Sequence, residues 1–251
     1  MSHKTDAAMR LDRLLTMLAL GSRSQVRDLI RRGRISIDGA VARAPEQHVG
    51  VGCEIRLDGQ ILDARTVRHV MLHKPCGVLT AAMDRKQKTV LDLLPPVYKA
   101  CGCMPVGRLD KDTEGLLLLS TDGELAHGLL SPTRHVQKCY RAEVDGPLGQ
   151  DDINAFRQGL VLSDFTAQPA KLVILTSDTE QAVALVWVSE GKYHQVRRMF
   201  AARGRTVTAL KRLSIGPLAL DENLRPGAYR ELEPWEAQLL LSAVSGEEIH
   251  E

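Results

Sequence analysis

The fold is decided by the stretch Gly107-Arg108-Leu109-Asp110-Lys111-Asp112-Thr113-Glu114-Gly115-Leu116-Leu117-Leu118-Leu119-Ser120-Thr121-Asp122-Gly123. A run of four leucines between two glycines predicts a buried strand. The charged segment before it is then a loop held by a rigid element, where functional side chains are often found. Asp110 lies between Arg108 and Lys111, and a carboxylate held among cations is a candidate nucleophile or base. A solvated aspartate in a surface loop is the alternative.

The composition is that of an ordinary globular protein with one or two domains. The 251 residues are 44% hydrophobic and 25% charged, within the usual range. No apolar run approaches the roughly 18 residues that span a bilayer. Residues 1–6 lack the apolar core of a secretory signal. We therefore expect a cytoplasmic protein without membrane association.

The cysteine pattern gives no sign of a metal site, whereas the charge pattern indicates a polyanionic partner. Five cysteines, at 53, 76, 101, 103 and 139, lack the paired spacing of a zinc site, so we expect reduced thiols and no metal. The net charge of +2 hides two basic stretches. Residues 23–34 contain five arginines and one acid, and residues 192–212 contain seven Lys or Arg and no acid. Two such stretches predict a polyanion contacted at two places.

Residues 9–59 are predicted to form a small N-terminal domain. Leucines at helical spacing over 9–20 predict one helix, and Ser22 or Ser24 can cap a second. The strand 35–37 meets the strong hairpin signal Asp38-Gly39. The outer face of the second helix and the segment after it carry the candidate RNA contacts Arg23, Arg27, Arg31 and Arg34. These arginines lack the acidic partners that i,i+4 pairing would supply.

This segment resembles an S4 RNA-binding domain. The matching residues are 10–14, 24–30, 33–35, Val41 and 54–55. The resemblance implies contact with structured RNA through the arginine-rich helix. We expect a linker at 60–68, a second domain at 69–244 and a frayed tail at 245–251.

The second domain mixes strands and helices without regular βαβ alternation. Strands are predicted at 70–74, 116–119, 138–144, 170–175, 182–188 and 206–213. Helices are predicted at 89–94, 123–130, 151–160, 193–202 and 235–244. This order favours an α+β fold, with a mixed, largely antiparallel sheet and flanking helices.

Three separated segments resemble the RsuA-type group of pseudouridine synthases. They are the Asp110 loop, the strand 138–144 and Glu190-Gly191-Lys192-Tyr193-His194-Gln195-Val196-Arg197-Arg198-Met199, and Lys74-Pro75-Cys76-Gly77 also matches. The resemblance implies that Asp110 is the catalytic carboxylate. It implies that Tyr140 packs against the target base and that Arg197 pairs with Asp110. Taken alone, Tyr140 suits a core position and Arg197 a phosphate contact.

Further RNA contacts are predicted around these motifs. Arg108 could fill the gap left by a flipped nucleotide, and Arg198 suits a phosphate. The other candidates are Lys74, Lys192, His194 and Gln195. The isomerisation breaks the C1′–N1 bond of uridine and joins C5 to C1′, so we expect no cofactor. Asp110 could attack C1′, stabilise positive charge there, or act as a base at the sugar.

Three functions remain open at this point. The first is a site-specific pseudouridine synthase acting on 16S rRNA, at a site of the uridine 516 type. Residues 191–202 resemble the group members that act on small-subunit rRNA, since large-subunit relatives tend to have Asn-Arg in place of Tyr193-His194. The second is a 23S rRNA enzyme of the same group. The third is an S4-type RNA-binding or ribosome-assembly factor without chemistry. We expect a monomer.

Overall fold

A computed structural model describes residues 8–245, which form two compact units. The first unit runs to Arg68 and also includes Leu94–Met104. The second contains His69–Leu93 and the chain from Pro105 onward. Of the predicted tail, residue 245 ends the last helix, and residues 246–251 lie outside the described residues.

The first unit packs three short helices against small antiparallel strands. Its helices are α1 (Leu11–Met17), α2 (Arg23–Arg31) and α3 (Pro96–Ala100). Its strands are β1 (Met9–Arg10), β2 (Ile35–Ile37), β3 (Ala40–Val41), β4 (His48–Val49), β5 (Ile55–Leu57) and β6 (Gln60–Ile61). β1 pairs with β4, and the other strands have the order β3-β2-β5-β6.

Local sequence explains how these elements begin and turn. Ser22 caps α2 and forms a reciprocal capping box with Gln25, which satisfies two backbone amides at the helix start. The predicted hairpin turn Asp38-Gly39 is confirmed, and Asp58-Gly59 forms a second one. All four turn residues have positive φ, as this turn type requires. The apolar sides of α1 and α2 cover a core that includes Leu15.

Residues near the predicted domain boundary have more structure than a linker would. Gln60–Ile61 form β6, which pairs with β5, and Arg68 is buried. The helix α3 was not predicted, because two consecutive prolines mark a stop. Pro96 instead occupies the first turn, where a missing N–H costs nothing. α3 packs against α1, and its Tyr98 ring lies under the Arg68 guanidinium.

The second unit is built on a large sheet. Its strands are β7 (His69–Lys74), β8 (Met104–Pro105, of which Pro105 belongs to this unit), β9 (Glu114–Ser120), β10 (Lys138–Asp145), β11 (Lys171–Ser177), β12 (Gln181–Val188), β13 (Val207–Ile215), β14 (Leu218–Ala219) and β15 (Tyr229–Glu231). Its helices are α4 (Gly123–Leu130), α5 (Gln150–Gln158), α6 (Gln195–Ala201) and α7 (Pro234–Ser245), and Val90–Leu93 and Pro132–Arg134 are 3-10 helices. The sheet order is β11-β12-β10-β13-β9-β7-β15, with β14 beside β13 and β8 beside β9.

The sheet is mixed and largely antiparallel, which confirms the predicted fold class. Along the main path, the pair β13–β9 is parallel and the other neighbours are antiparallel. The four leucines of β9 are fully buried, as their sequence predicts. Leu116 and Leu118 face a core shared with α4 and α7. A second core lies over β10, β12 and β13 and contains Phe156 and Phe200, which are in ring contact.

The parallel pair β13–β9 depends on a glycine. Gly115 lies beside Arg212 in the register and has a φ of 113°. A Cβ atom at this position would lie 2.2 Å from the carbonyl oxygen of Arg212. Because backbone cannot move aside as a flexible side chain can, only glycine fits this crossing.

We expect Gly115→Ala to destabilise the protein by about 3 kcal/mol, because the new Cβ clashes with backbone and the residue is strained at positive φ. Urea unfolding measures the change. The matched control is Gly123→Ala at the start of α4, where the space around a Cβ is open. The control should stay within about 1 kcal/mol of wild type. Equal stability of the two variants would contradict the argument.

Candidate active site

A pocket in the second unit brings together three separated segments of the chain. The loop before β9 contributes Arg108, Asp110 and Thr113, β10 contributes Tyr140, and the start of α6 contributes His194 and Gln195. Asp110 and Tyr140, predicted from different motifs, therefore line the same cavity.

A buried lysine fixes the loop that carries Asp110. Lys74 is the last residue of β7, and its side chain is 0% exposed. Its ammonium donates hydrogen bonds to the carbonyl oxygens of Pro75 at 3.0 Å, Lys111 at 3.2 Å and Thr113 at 2.9 Å. Burial lowers the pKa of Lys74. These contacts leave no face for RNA, so the prediction that Lys74 binds RNA is wrong. Its role is to hold the loop.

Other hydrogen bonds also hold this loop. The Thr80 hydroxyl donates to the carbonyl of Leu109 at 2.7 Å and accepts from the Leu109 amide at 3.2 Å. The Thr113 amide donates to the carbonyl of Asp110 at 3.1 Å. The backbone around Asp110 is thus fixed at several points, which preorganises its half-buried carboxylate.

The side-chain partner of the Asp110 carboxylate is His194. His194 Nε2 lies 3.5 Å from Asp110 Oδ1. His194 precedes α6 with a left-handed backbone, φ 48°, and its ring stacks on Tyr193 at a centroid distance of 3.9 Å. Non-glycine residues seldom adopt this conformation, and such strain is concentrated at functional sites. The sequence predicted an RNA contact for His194, and the structure brings it to the carboxylate.

Arg197 reaches the Asp110 loop through backbone. Its Nη1 donates to the carbonyl of Val207 at 3.0 Å, and its Nη2 donates to the carbonyl of Asp112 at 3.1 Å. Arg197 therefore ties α6 and β13 to the loop. The predicted ion pair between Arg197 and Asp110 is not formed within the described part of the chain. A motif gives the charge of a residue, but it does not give the direction of a long side chain.

Gln195, which was predicted to contact RNA, holds the loop 190–194 within the protein. Gln195 is buried; its Nε2 donates to Glu190 Oε2 at 2.8 Å and its Oε1 accepts from the Lys192 amide at 3.2 Å. The predicted RNA contact at Gln195 is therefore wrong, and Glu190 is an anchor that the sequence analysis missed.

Arg198 is occupied by contacts within the protein. It pairs with Asp164, donates to Ser163 Oγ at 3.1 Å and lies 5.1 Å above the Phe165 ring. RNA would have to displace these partners to reach its guanidinium.

Arg108 and Lys192 remain open to solvent at the pocket. The Lys192 ammonium lies 5.8 Å from the Phe165 ring centroid, within the range of a cation–π contact. Both side chains are accessible to the phosphates of an RNA.

The arginine face of the first unit is partly neutralised. Arg23 and Arg31 are exposed, whereas Arg27 pairs with Asp12 at 3.2 Å and Arg34 pairs with Asp58. Hydrogen bonds from Arg10, together with Arg27, hold the pKa of Asp12 at about 2 despite its burial. Neither acid is an i,i+4 neighbour of its arginine, so the sequence expectation did not cover these pairs, in which the acids come from other elements.

Within residues 8–245, no group of three or more His, Cys, Asp or Glu side chains is placed to hold a metal ion. None of the helices in that range has the length and apolarity needed to cross a membrane.

Comparison with known proteins identifies the fold and the chemistry together. Residues 68–202 match the family described as RNA pseudouridylate synthase, and residues 9–63 match the S4 domain. The chain belongs to the RNA pseudouridylate synthase family. The predicted S4 domain and RsuA-type resemblance are confirmed, and the protein is an RNA pseudouridine synthase.

Relatives match this synthase along most of their length. An uncharacterized RNA pseudouridine synthase of Bacillus subtilis, YtzG, is 43% identical over 92% of this chain and 98% of its own. The ribosomal small subunit pseudouridine synthase A of Yersinia pestis is 38% identical over 89% of this chain and 94% of its own. A crystal structure of a pseudouridylate synthase superposes with a TM-score of 0.64, at 33% identity, covering 92% of this chain and 99% of the other.

For the synthase, we expect Lys74→Met to lower the single-turnover rate about 100-fold by loosening the Asp110 loop, because small misplacements of reacting groups are costly. RNA affinity should stay within about two-fold, since a buried ammonium makes no phosphate contact.

Lys192→Met provides the contrast, because an exposed lysine at the pocket should give the opposite pattern. It should weaken binding and reduce the salt dependence of affinity by about one counterion. Filter binding at several salt concentrations and quenched single-turnover assays measure both variants. A loss of affinity without a loss of rate in Lys74→Met would contradict the loop-holding role.

Proposed function

We propose that this synthase isomerises one uridine of 16S rRNA to pseudouridine, with Asp110 as its catalytic carboxylate. The observation that carries the proposal is the pocket in which Asp110 and Tyr140 meet, between the fixed loop and the start of α6. A ribosomal substrate implies action in the cytoplasm, and we propose that a monomer performs it.

The pocket offers the groups that the reaction needs. The Asp110 carboxylate can attack C1′, stabilise its positive charge or take a proton from the sugar. The Tyr140 ring gives the detached uracil a flat surface on which to turn. His194 orients the carboxylate, and Arg197 holds the loop that presents it. Exposed Arg108 is placed to enter the space that a flipped nucleotide leaves.

The choice of 16S rRNA draws on overall identity and on one local motif. The chain is 38% and 37% identical to proteins named ribosomal small subunit pseudouridine synthase A in Yersinia pestis and Pseudomonas aeruginosa. Tyr193 and His194 also form a stacked pair beside Asp110, at the positions where large-subunit relatives tend to have Asn-Arg. A 23S rRNA target is the competing proposal, and an RNA-binding factor without chemistry is not supported by membership in an enzyme family.

Asp110→Asn should lower the pseudouridine-forming rate by at least about 1000-fold, or about 4 kcal/mol in the barrier. The amide keeps the shape of the side chain but cannot act as a nucleophile or base. The matched control is Asp112→Asn, because Asp112 uses only its carbonyl oxygen in the site. The control should retain most of its activity, and both proteins should bind RNA. An Asp110→Asn protein with wild-type rate would refute the assignment.

A strain lacking the gene should lose one pseudouridine from 16S rRNA. Chemical mapping of pseudouridines in both ribosomal RNAs checks this directly. Wild-type protein should restore the site, and Asp110→Asn should not. Loss of a site in 23S rRNA, with 16S rRNA unchanged, would replace the 16S proposal by its competitor.

A further inference from the structure

Two buried cations lie on the same face of the sheet as Tyr140. Lys138 and Arg212 are 8% and 4% exposed. Lys138 precedes Tyr140 by two residues on β10, and Arg212 on β13 is directly opposite Tyr140 in the register. Alternate residues of a strand share a face, and so do directly opposed residues of neighbouring strands. The three side chains therefore lie together.

Neither cation has a carboxylate partner within residues 8–245. Lys138 Nζ reaches only the carbonyl of Ser189, at 3.5 Å, and Arg212 Nε donates to the carbonyl of Leu116 at 2.8 Å. Arg212 Nη2 is buried without an acceptor, and so is the Thr113 hydroxyl in the pocket wall. Burial and the nearby charge of Arg212 lower the pKa of Lys138, in keeping with a lysine that has no counter-ion.

This arrangement is costly for folding. A buried charge without a partner costs several kcal/mol, and an apolar side chain of similar size would pack here more favourably. In surroundings of low dielectric constant, two such charges create a strong positive potential beside the Tyr140 ring. Fixed potentials of this kind stabilise charge that develops during a reaction.

The reaction produces an anion on the uracil. When the C1′–N1 bond breaks, its electron pair stays on N1 and spreads over the two uracil carbonyls. C5 later donates a pair to C1′, and the proton on C5 is transferred to N1. Each of the three reaction routes open to Asp110 has this detached uracil as an intermediate.

We propose that Lys138 and Arg212 stabilise the detached uracil anion through their electric field while it turns against Tyr140. The inference rests on the proposed assignment of the Asp110 pocket as the active site. Direct phosphate binding suits these two residues poorly, because Arg212 Nη2 cannot be reached from solvent. Exposed Arg108 and Lys192 suit that role.

Lys138→Met and Arg212→Met test the proposal in the full-length protein. Each should lower the single-turnover rate about 100-fold, similar to the loss of one oxyanion donor, with RNA affinity and its salt dependence unchanged. Thermal stability should stay equal or rise, since an unpaired buried charge is removed. The control is Arg141→Met, a half-exposed residue of β10 on the opposite face that pairs with Glu143. It should behave as wild type.

A substrate with 5-fluorouridine at the target site separates a field effect from a structural one. Fluorine withdraws electrons and makes uracil a better leaving group, so the variants should recover rate relative to wild type when consumption of the target nucleoside is measured. If Arg212→Met does not fold, Lys138→Met carries the test alone.

Two results would overturn the proposal. Weaker binding with a salt slope lowered by about one would indicate a phosphate contact. A lower melting temperature with no gain from fluorine would indicate a structural role. Activity in Asp110→Asn would instead refute the underlying site assignment, so the two failures are distinguishable.

Discussion

The catalytic unit depends on one buried ammonium group. Lys74 ends a central strand and donates to three carbonyl oxygens, two of which belong to the loop around Asp110. A carbonyl beyond the end of a strand has no ladder partner, and a lysine can satisfy several at once with a single charge. The loop is therefore held firmly to the sheet. The Asp110 carboxylate keeps a fixed position without a helix to support it.

Some cations of this protein are neutralised by carboxylates, and two buried ones are not. Arg27 and Arg198 are paired with carboxylates, which neutralise them and fix local structure. The buried Lys138 and Arg212, by contrast, have no carboxylate partner among residues 8–245. If Lys138 and Arg212 act as proposed, local instability is tolerated where a negative charge appears during turnover, as expected if stability is exchanged for function at active sites.

Sequence predicts best those features that depend on neighbouring residues. The Asp-Gly turns require positive φ locally, and the consecutive leucines of β9 predict a strand that is buried on both faces. The site residues that were misjudged, Lys74 and Gln195, are polar residues buried by contacts between distant segments, and composition does not show such burial. The orientation of Arg197 and the pairing of Gly115 with Arg212 also arise from strands far apart in sequence.

The segment Leu94–Met104 leaves the catalytic part of the sequence, joins the S4 unit and returns. The polypeptide consequently passes between the units three times. A domain joined by one linker can be gained, lost or replaced in one recombination event. Here a foreign RNA-binding module would arrive without α3 and leave Tyr98 and its neighbours without their packing partners. Exchange of the S4 unit would therefore require matching changes in Leu94–Met104.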